Sequence, residues 1–357
     1  MDAEILRIND VLHRSGTLAV HDFYLTLYAL IALIKQSLSM RFVLFFLSAC
    51  LISPLPSRAA ENASVNVAVA ANFAKPLRDI ASEFTQLTGV DVAITVSSSG
   101  TLFAQIQHGA GFDVFLSADR SRPQALVDAH LVHSDNLVNY ALGRLAFVYT
   151  NEKNANYASH SEISPAQFSK IFESAMSVAN AKLAIANPKL APYGVAAEQV
   201  LASMQTREFH QQRPDQTQTE QKPTSAMFTK VKGKNVLQTY QFFTTGSVSG
   251  ALVAHSLTLE SEKKGDSENS VLVPSTYYSP IVQSLIINSK SAAQLAPNVF
   301  DEIGKTEIRR NEEIAERLKG ISSSHLFVQY LLSQRVQNRL PEWGYLPAVA
   351  TPQQISK

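Results

Sequence analysis

A chain of 357 residues with 45% hydrophobic and 17% charged content is long enough for two cores and is neither disordered nor polytopic. Its 31 basic and 30 acidic residues leave a formal charge of +1, which supplies no global field for nucleic acid or an anionic membrane and points to a small partner. The single cysteine, Cys50, excludes an intrachain disulfide framework and any multi-cysteine metal site.

The first 60 residues read as targeting sequence. Met40-Arg41 supplies a start and a positive charge, FVLFFLSACLISPLP an apolar region, and Ser57-Arg58-Ala59 a cleavage pattern. Residues 40–59 are therefore expected to be a signal peptide that exports the chain, and residues 1–39 an N-terminal extension from a start assigned too early. Leu47-Ser48-Ala49-Cys50 also has the form of a lipid-attachment box, which gives lipoprotein anchoring as an alternative. An anchor near Phe23 to Ile34 is too short, since spanning takes about 20 apolar residues.

From residue 65 onward strands and helices alternate, which predicts an α/β architecture with ligands at the carboxyl ends of strands. Strands are expected in VNVAVA at 65, DVAITVS at 91, DVFLSA at 113, RLAFVYT at 144, KLAIANP at 182, GALVAHS at 250 and SLIINS at 284. Helices are expected over Lys75 to Thr88, Thr101 to Gly109, Pro123 to His130, Pro165 to Phe172, Val195 to Met204 and Thr306 to Lys319. Residues 205–234 and the run SEKKGDSENS at 261 are polar and read as surface loops.

Three strand-to-helix turns share one design: Ala70-Ala71-Asn72, Ser97-Ser98-Ser99-Gly100 and Ala191-Pro192-Tyr193-Gly194. The first N–H groups of a helix lack intrahelical partners, and the aligned peptide dipoles add roughly half a positive charge there, so such a turn can hold an anion. Ser98, Ser99 and Thr101 add hydroxyls, and Asn72 an amide that can cap its helix or turn toward a ligand. Taken singly, Asn72 and Ser99 are as well explained as N-caps, Tyr193 as a packing residue and Pro192 as a helix-start residue. A cage of donors without a nearby carboxylate would favour fully ionised oxyanions over monohydrogen phosphate, whose proton needs an acceptor. Asp113 and Asp119 lie close in sequence to the second turn and are expected to be structural, Asp113 starting a strand and Asp119 capping a turn.

Enzyme readings find little support. The histidines show no HExxH and no metal-ligand spacing, and neither GxSxG nor a P-loop is present. Gly246-Ser247-Val248-Ser249-Gly250 departs from nucleophile-elbow spacing and reads as a turn into a strand.

The segments VAVAANFAKPLRDIASEFTQLTG, SSSGTLFAQIQHGAGFDVFLSAD, YALGRLAFVYT and IANPKLAPYGVAAEQVL, with LLSQRVQNRLPEWGYLP at the end, resemble the periplasmic molybdate-binding proteins that serve ABC uptake systems. The resemblance implies a two-lobed periplasmic-binding-protein fold with an oxyanion cleft between lobes joined by two crossover strands, near Val138 to Thr150 and near Ile281 to Ser289. Lobe 1 would be discontinuous, 60–140 and 285–357, and lobe 2 would span 141–284. The oxyanion-binding residues would be Ala71, Asn72, Ser99, Tyr193 through its backbone N–H, and Val253 through its backbone in SGALVAHS, where relatives read LGFVA or LGIVY. The implied function is a monomeric receptor, not an enzyme, that holds molybdate or tungstate with no cofactor and no direct metal-ion ligands and delivers it to an ABC permease. Another oxyanion such as sulfate or thiosulfate, and a hydrolase or transferase using a serine in the cleft, are the alternatives.

Overall fold

The computed structural model describes Thr26, Ala29 and residues 64–150, 163–212, 228–264, 269–291, 298–301 and 320–348. Apart from Thr26 and Ala29, the expected extension 1–39 lies outside the described residues, as do the expected signal peptide 40–59 with Cys50 and the helix expected over Thr306 to Lys319. The chain divides into two compact units, Met1–Glu61 and Asn62–Lys357, and both sheets belong to the second. No helix among the described residues is long and apolar enough to cross a membrane.

The first sheet begins with β1 (Ser64–Ala70), whose Val65, Val67 and Val69 pack in one core cluster while Ala68 packs in another, as a period of two requires. Then comes α1 (Ala74–Thr88), where Leu77, Ile80, Ala81 and Phe84 form the buried stripe and Gly89, at φ +70°, ends the helix by donating its N–H to the Thr85 carbonyl. The chain continues through β2 (Asp91–Ser97), α2 (Ser99–Gln107), β3 (Val114–Ser117), α3 (Ser121–Asp128) and β4 (Leu137–Gly143). β1 pairs in parallel with both β2 and β3.

One residue, Arg144, separates β4 from β5 (Leu145–Tyr149), the first strand of the second sheet. That sheet gathers α4 (Pro165–Met176), β6 (Lys182–Ala186), α5 (Pro192–Gln212), β7 (Thr229–Gly233), α6 (Val236–Thr244), β8 (Gly250–Ala254), α7 (His255–Lys264) and β9 (Asn269–Leu272). A capping box starts α4: Ser164 accepts from the Gln167 N–H, Gln167 answers to the Ser164 N–H, and Pro165 fills the first helical position. The chain then returns to the first sheet as β10 (Ile281–Ile287), followed by α8 (Ser323–Leu332), the short α9 (Gln334–Gln337) and β11 (Leu346–Pro347).

Strand order is β11-β4-β10-β3-β1-β2 in the six-stranded sheet and β7-β6-β8-β5-β9 in the five-stranded one. β10 runs antiparallel to both β3 and β4. Both sheets are thus mixed, with two passages of chain between them, and the α/β architecture expected from the sequence is observed. The first sheet is covered on one face by α1 and α8, through Phe84, Phe327 and Tyr330, and on the other by α2 and α3, through Leu102, Ile106 and Leu126. Each fully buried aromatic or aliphatic side chain contributes about 1.5–3 kcal/mol.

The structure also corrects the reading of residues 205–234 as a surface loop. α5 runs to Gln212, and Thr229–Gly233 is a strand paired in parallel with β6. Its exposed Lys230 and Lys232 suit an edge strand, where charge discourages pairing with another chain.

The C-terminal segment is fastened to α1 by a polar cluster. Glu83 accepts from the Arg339 guanidinium at 2.6 Å and from the Tyr330 hydroxyl at 3.0 Å, and Arg339 lies 4.7 Å from the Trp343 ring centroid. Burial works against ionisation of Glu83, but the hydrogen bonds from Arg339 and Tyr330 and the charges of Arg339 and Arg335 outweigh it and hold the carboxyl below its ordinary value. A carboxyl with a depressed folded pKa stabilises above its unfolded value, about 4.3, and loses that contribution as pH falls through the folded value. Glu83→Gln is therefore expected to cost about 1 kcal/mol at pH 7. The gap to wild type in urea unfolding should narrow as pH falls below the ordinary carboxylate range and Glu83 takes up its proton, and a gap that stays constant through full protonation of the carboxyls would contradict the assignment.

Candidate functional site

β1 and β2 end in register, Ala70 opposite Ser97, so the turns that follow them stand side by side at one edge of the first sheet. In the second turn Ser98, not Ser99, is the N-cap of α2, its Oγ accepting from the Thr101 N–H at 3.2 Å. The Gly100 N–H donates to the Leu190 carbonyl at 2.8 Å, which brings the start of α2 against the turn that precedes α5. What remains is the Ser99 N–H, which has no hydrogen-bond partner among the described residues. The Ser99 hydroxyl is oriented from behind: its Oγ accepts from the Ala118 N–H at 2.9 Å, leaving its own proton to donate.

Asn72 is buried in the turn Ala71–Phe73, a single 3-10 turn leading into α1, and its side chain caps neither helix. The amide was expected to cap or to face a ligand; instead its Nδ2 donates to Gln283 Oε1 at 2.9 Å and to the Tyr345 hydroxyl at 3.1 Å. Its carbonyl accepts from the Tyr345 hydroxyl at 2.7 Å and from Ser256 Oγ, at the start of α7, at 3.0 Å. With both amide protons committed, Ala71 and Asn72 can serve an anion through their backbone N–H groups, which at the start of a 3-10 turn have no acceptor within it.

At the third turn α5 opens on Pro192, and the Tyr193 N–H in its first turn has no partner among the described residues. The Tyr193 phenol is fully buried and accepts from Gln283 Nε2 at 3.1 Å. Gln283 thereby sits within hydrogen-bond reach of both Asn72 and Tyr193, so the first and third turns lie on either side of one carboxamide. Burial raises the pKa of Tyr193, with the neighbouring Tyr345 and Tyr140 adding to it, and burial raises that of Tyr140 likewise.

Val253 is the residue that the structure removes from the expected set. Antiparallel pairs alternate, and the bond from the His255 N–H to the Arg144 carbonyl fixes the phase at the end of the β5–β8 ladder. Val253, two residues earlier and opposite Ala146, therefore turns its N–H toward β5, and its side chain is fully buried. A helix start stands where that contact was sought. α6 packs against the turn Ala71–Phe73. Asn235 caps it by accepting from the Gln238 N–H at 2.8 Å, which leaves the Val236 and Leu237 N–H groups with no partner among the described residues. The sequence carried a signal for this site: Asn235 with Gln238 three positions on, opening the apolar run at Val236, has the form of a capping motif, hidden at the end of a polar segment.

Acceptors near the site are occupied. Asp119 Oδ1 accepts from the Arg122 N–H and from Ser117 Oγ, each at 3.1 Å, and Oδ2 is bonded to the Arg122 guanidinium. Arg122 Nη2 reaches the Lys189 carbonyl at 3.1 Å. Asp119 is thus turned toward α3, as its expected capping role requires, and Asp113 pairs with the Asn66 backbone. Beside the turns opens a cavity of about 490 Å³ whose walls include Phe103, Ala118, Arg122, Pro192, Gln199 and Ile281. The run Gly246 to Gly250 is a turn: Gly246 has φ +69° and Ser249 Oγ accepts from the Lys182 N–H. The arrangement as a whole presents N–H groups, the Ser99 hydroxyl proton and helix dipoles, the chemistry that holds a fully ionised oxyanion.

A family model described as "Bacterial extracellular solute-binding protein" matches residues 65–300. The chain is 34% identical over 258 residues to the molybdate-binding protein ModA of Azotobacter vinelandii, covering 70% of this chain and 88% of that one. It is 31% identical over 257 residues to the molybdate-binding protein ModA of Rhodobacter capsulatus, covering 71% and 85%. Among solved structures, the periplasmic molybdate-binding protein of Azotobacter vinelandii superposes with a TM-score of 0.54 at 23% identity, covering 80% of this chain and all of that one.

Proposed function

Because the chain belongs to the bacterial extracellular solute-binding protein family, we propose that it is a periplasmic receptor that captures molybdate, and tungstate of the same charge and shape, for delivery to the permease of an ABC uptake system. The observation that carries the reading is the gathering of unpartnered first-turn N–H groups at Ser99, Tyr193 and Val236 around the turn that holds Ala71 and Asn72, with the nearby Asp119 carboxylate already paired. The two relatives named as molybdate-binding support the choice of anion.

In this reading the sheets belong to two lobes, with residues 60–140 and 285–357 on one side and 141–284 on the other. The turns at Ala71–Asn72 and Ser99 act from the first lobe, and Tyr193 and Val236 from the second. No single lobe presents donors to all four oxygens, so binding favours the closed state by differential contact. The protein works as a monomer and performs no chemistry on its ligand, because the groups that meet the anion are donors and, among the described residues, no general base is hydrogen-bonded to the Ser99 hydroxyl to activate it. Selection against monohydrogen phosphate follows because its proton needs an acceptor and the Asp119 carboxylate near the second turn is already paired.

A thermal unfolding series tests the reading. Molybdate at about 100 times its Kd should add roughly 2.7 kcal/mol of stability, whereas an unmoved transition would contradict it. The contact at Val236 has its own test. Val236 is the first residue of α6 and Asn235 before it is extended, at φ −148° and ψ 174°, so proline fits this position while deleting the N–H. Val236→Pro is expected to keep the fold, with some stability lost because the Val236 side chain is buried, and to weaken molybdate by about tenfold, the scale of one hydrogen bond to a charged partner. Unchanged affinity in calorimetry would remove Val236 from the site.

A further inference from the structure

Gln283 is fully buried on β10, the strand by which the chain returns to the first sheet. Its carboxamide makes three bonds: Oε1 accepts from Asn72 Nδ2 at 2.9 Å and from the Tyr140 hydroxyl at 2.8 Å, and Nε2 donates to the Tyr193 hydroxyl at 3.1 Å. Tyr140 lies on β4, the strand by which the chain leaves that sheet. Both strands that connect the sheets therefore send a side chain to the same point.

The backbone is shaped for this meeting. The β10–β4 register shifts between Gln283 and Ser284, with Gln283 opposite Ala141 and Ser284 opposite Asn139, so Tyr140 is the extra residue of a bulge. Bulges re-aim side chains beside functional sites. At Gly143 a Cβ would lie 2.3 Å from the Tyr193 hydroxyl and 2.8 Å from Gln283 Nε2. Glycine there leaves the space in which phenol and amide touch. A buried polar network that is satisfied in this way is rigid, because every partial displacement leaves a polar group unpaired in a low-dielectric interior.

We propose that Gln283 is the positioning residue that sets which oxyanion fits: by holding the Asn72 turn and the Tyr193 helix start on one carboxamide, it fixes the distance between donors contributed by the two sheets. The inference rests on the receptor reading above. Gln283 does not touch the anion; it acts through Asn72 and Tyr193, whose backbone N–H groups do. A Gln283 of purely structural importance would weaken all anions alike, whereas one that fixes a separation changes the ratio between anions of different size.

The test is calorimetric titration with molybdate, and with sulfate by competition, on wild type, Gln283→Leu, Tyr193→Phe and the double variant. Gln283→Leu is expected to lose about tenfold in molybdate affinity and to lower the molybdate-to-sulfate ratio by about fivefold or more. Tyr193→Phe, which keeps the ring and removes one end of the bridge, should lower the ratio in the same direction. The double variant should be no worse than Gln283→Leu alone, since both remove one linkage. Should Gln283→Leu fail to fold, the ratio in Tyr193→Phe decides. Wild-type binding with an unchanged ratio in both variants overturns the inference alone, while a wild type silent to both anions overturns the receptor reading and the inference with it.

Discussion

Gly194→Ala is expected to destabilise the protein by about 3 kcal/mol and to abolish tight oxyanion binding, since overpacking against rigid backbone costs 1–3 kcal/mol and occasionally more. A Cβ at this position would lie 2.2 Å from the Ala186 carbonyl oxygen and 2.8 Å from both the Ala186 carbonyl carbon and the Pro188 nitrogen. None of these is the end of a flexible side chain. The first turn of α5 would have to move away from the end of β6, carrying the Tyr193 N–H with it. Gly111 supplies the control, because a Cβ there meets nothing within 4 Å and its φ is not in the left-handed region. Urea unfolding should find Gly111→Ala close to wild type and Gly194→Ala far below it. A Gly194→Ala protein with wild-type stability would show that α5 is free to shift and that its first turn is not held where the account needs it.

Ser99→Ala is expected to act twice. The hydroxyl accepts the buried Ala118 N–H at 2.9 Å, and losing that acceptor strands a donor in the interior, at a cost of about 1–3 kcal/mol to the ligand-free protein. Its proton is left to donate to the anion, and a hydrogen bond to a charged partner is worth about 1.5–3 kcal/mol, or roughly tenfold to a hundredfold in Kd. The two effects separate experimentally: the first lowers the unfolding midpoint without ligand, and the second reduces the further rise when molybdate is added. An unchanged ligand-induced rise would take the Ser99 hydroxyl out of the site and leave it a structural acceptor alone.

The parts of the fold legible in the sequence are those whose local rules and tertiary environment agree. VNVAVA alternates because its two faces meet different cores, and Leu77, Ile80 and Phe84 recur at helical spacing because one side of α1 is covered. Elements whose environment overrides local pattern are not legible from that pattern. α8, SSHLFVQYLL, buries every residue from Leu326 to Leu331, so no polar stripe marks it as a surface helix. β7, TKVKG, is an edge strand whose lysines read as loop. β4, LVNYALG, is legible only through the resemblance, which implies a crossover strand near Val138 to Thr150, because the bulge at Tyr140 breaks the alternation by one residue.

The candidate site divides in the same way. Its turns could be found because a helix start leaves a local signature, and Ala71, Asn72, Ser99 and Tyr193 do come together. The use each residue makes of its atoms could not be read, because that depends on partners far along the chain. The Asn72 amide is consumed by Gln283 and Tyr345, 211 and 273 positions away. Val253 was sought as a donor when the ladder phase, fixed across two strands, turns its N–H to β5. Val236 is hard to find in the sequence because a polar segment precedes it and a single capping residue, Asn235, marks the helix start.

The central claim is that backbone donors from two sheets enclose a single fully ionised oxyanion, and calorimetric titration of the protein with molybdate, tungstate, sulfate and phosphate in one buffer tests it most directly. The account predicts tight one-to-one binding of molybdate and tungstate and no heat from phosphate at neutral pH, where its proton finds no acceptor. Phosphate binding as tight as molybdate, or silence from molybdate and tungstate, would contradict it.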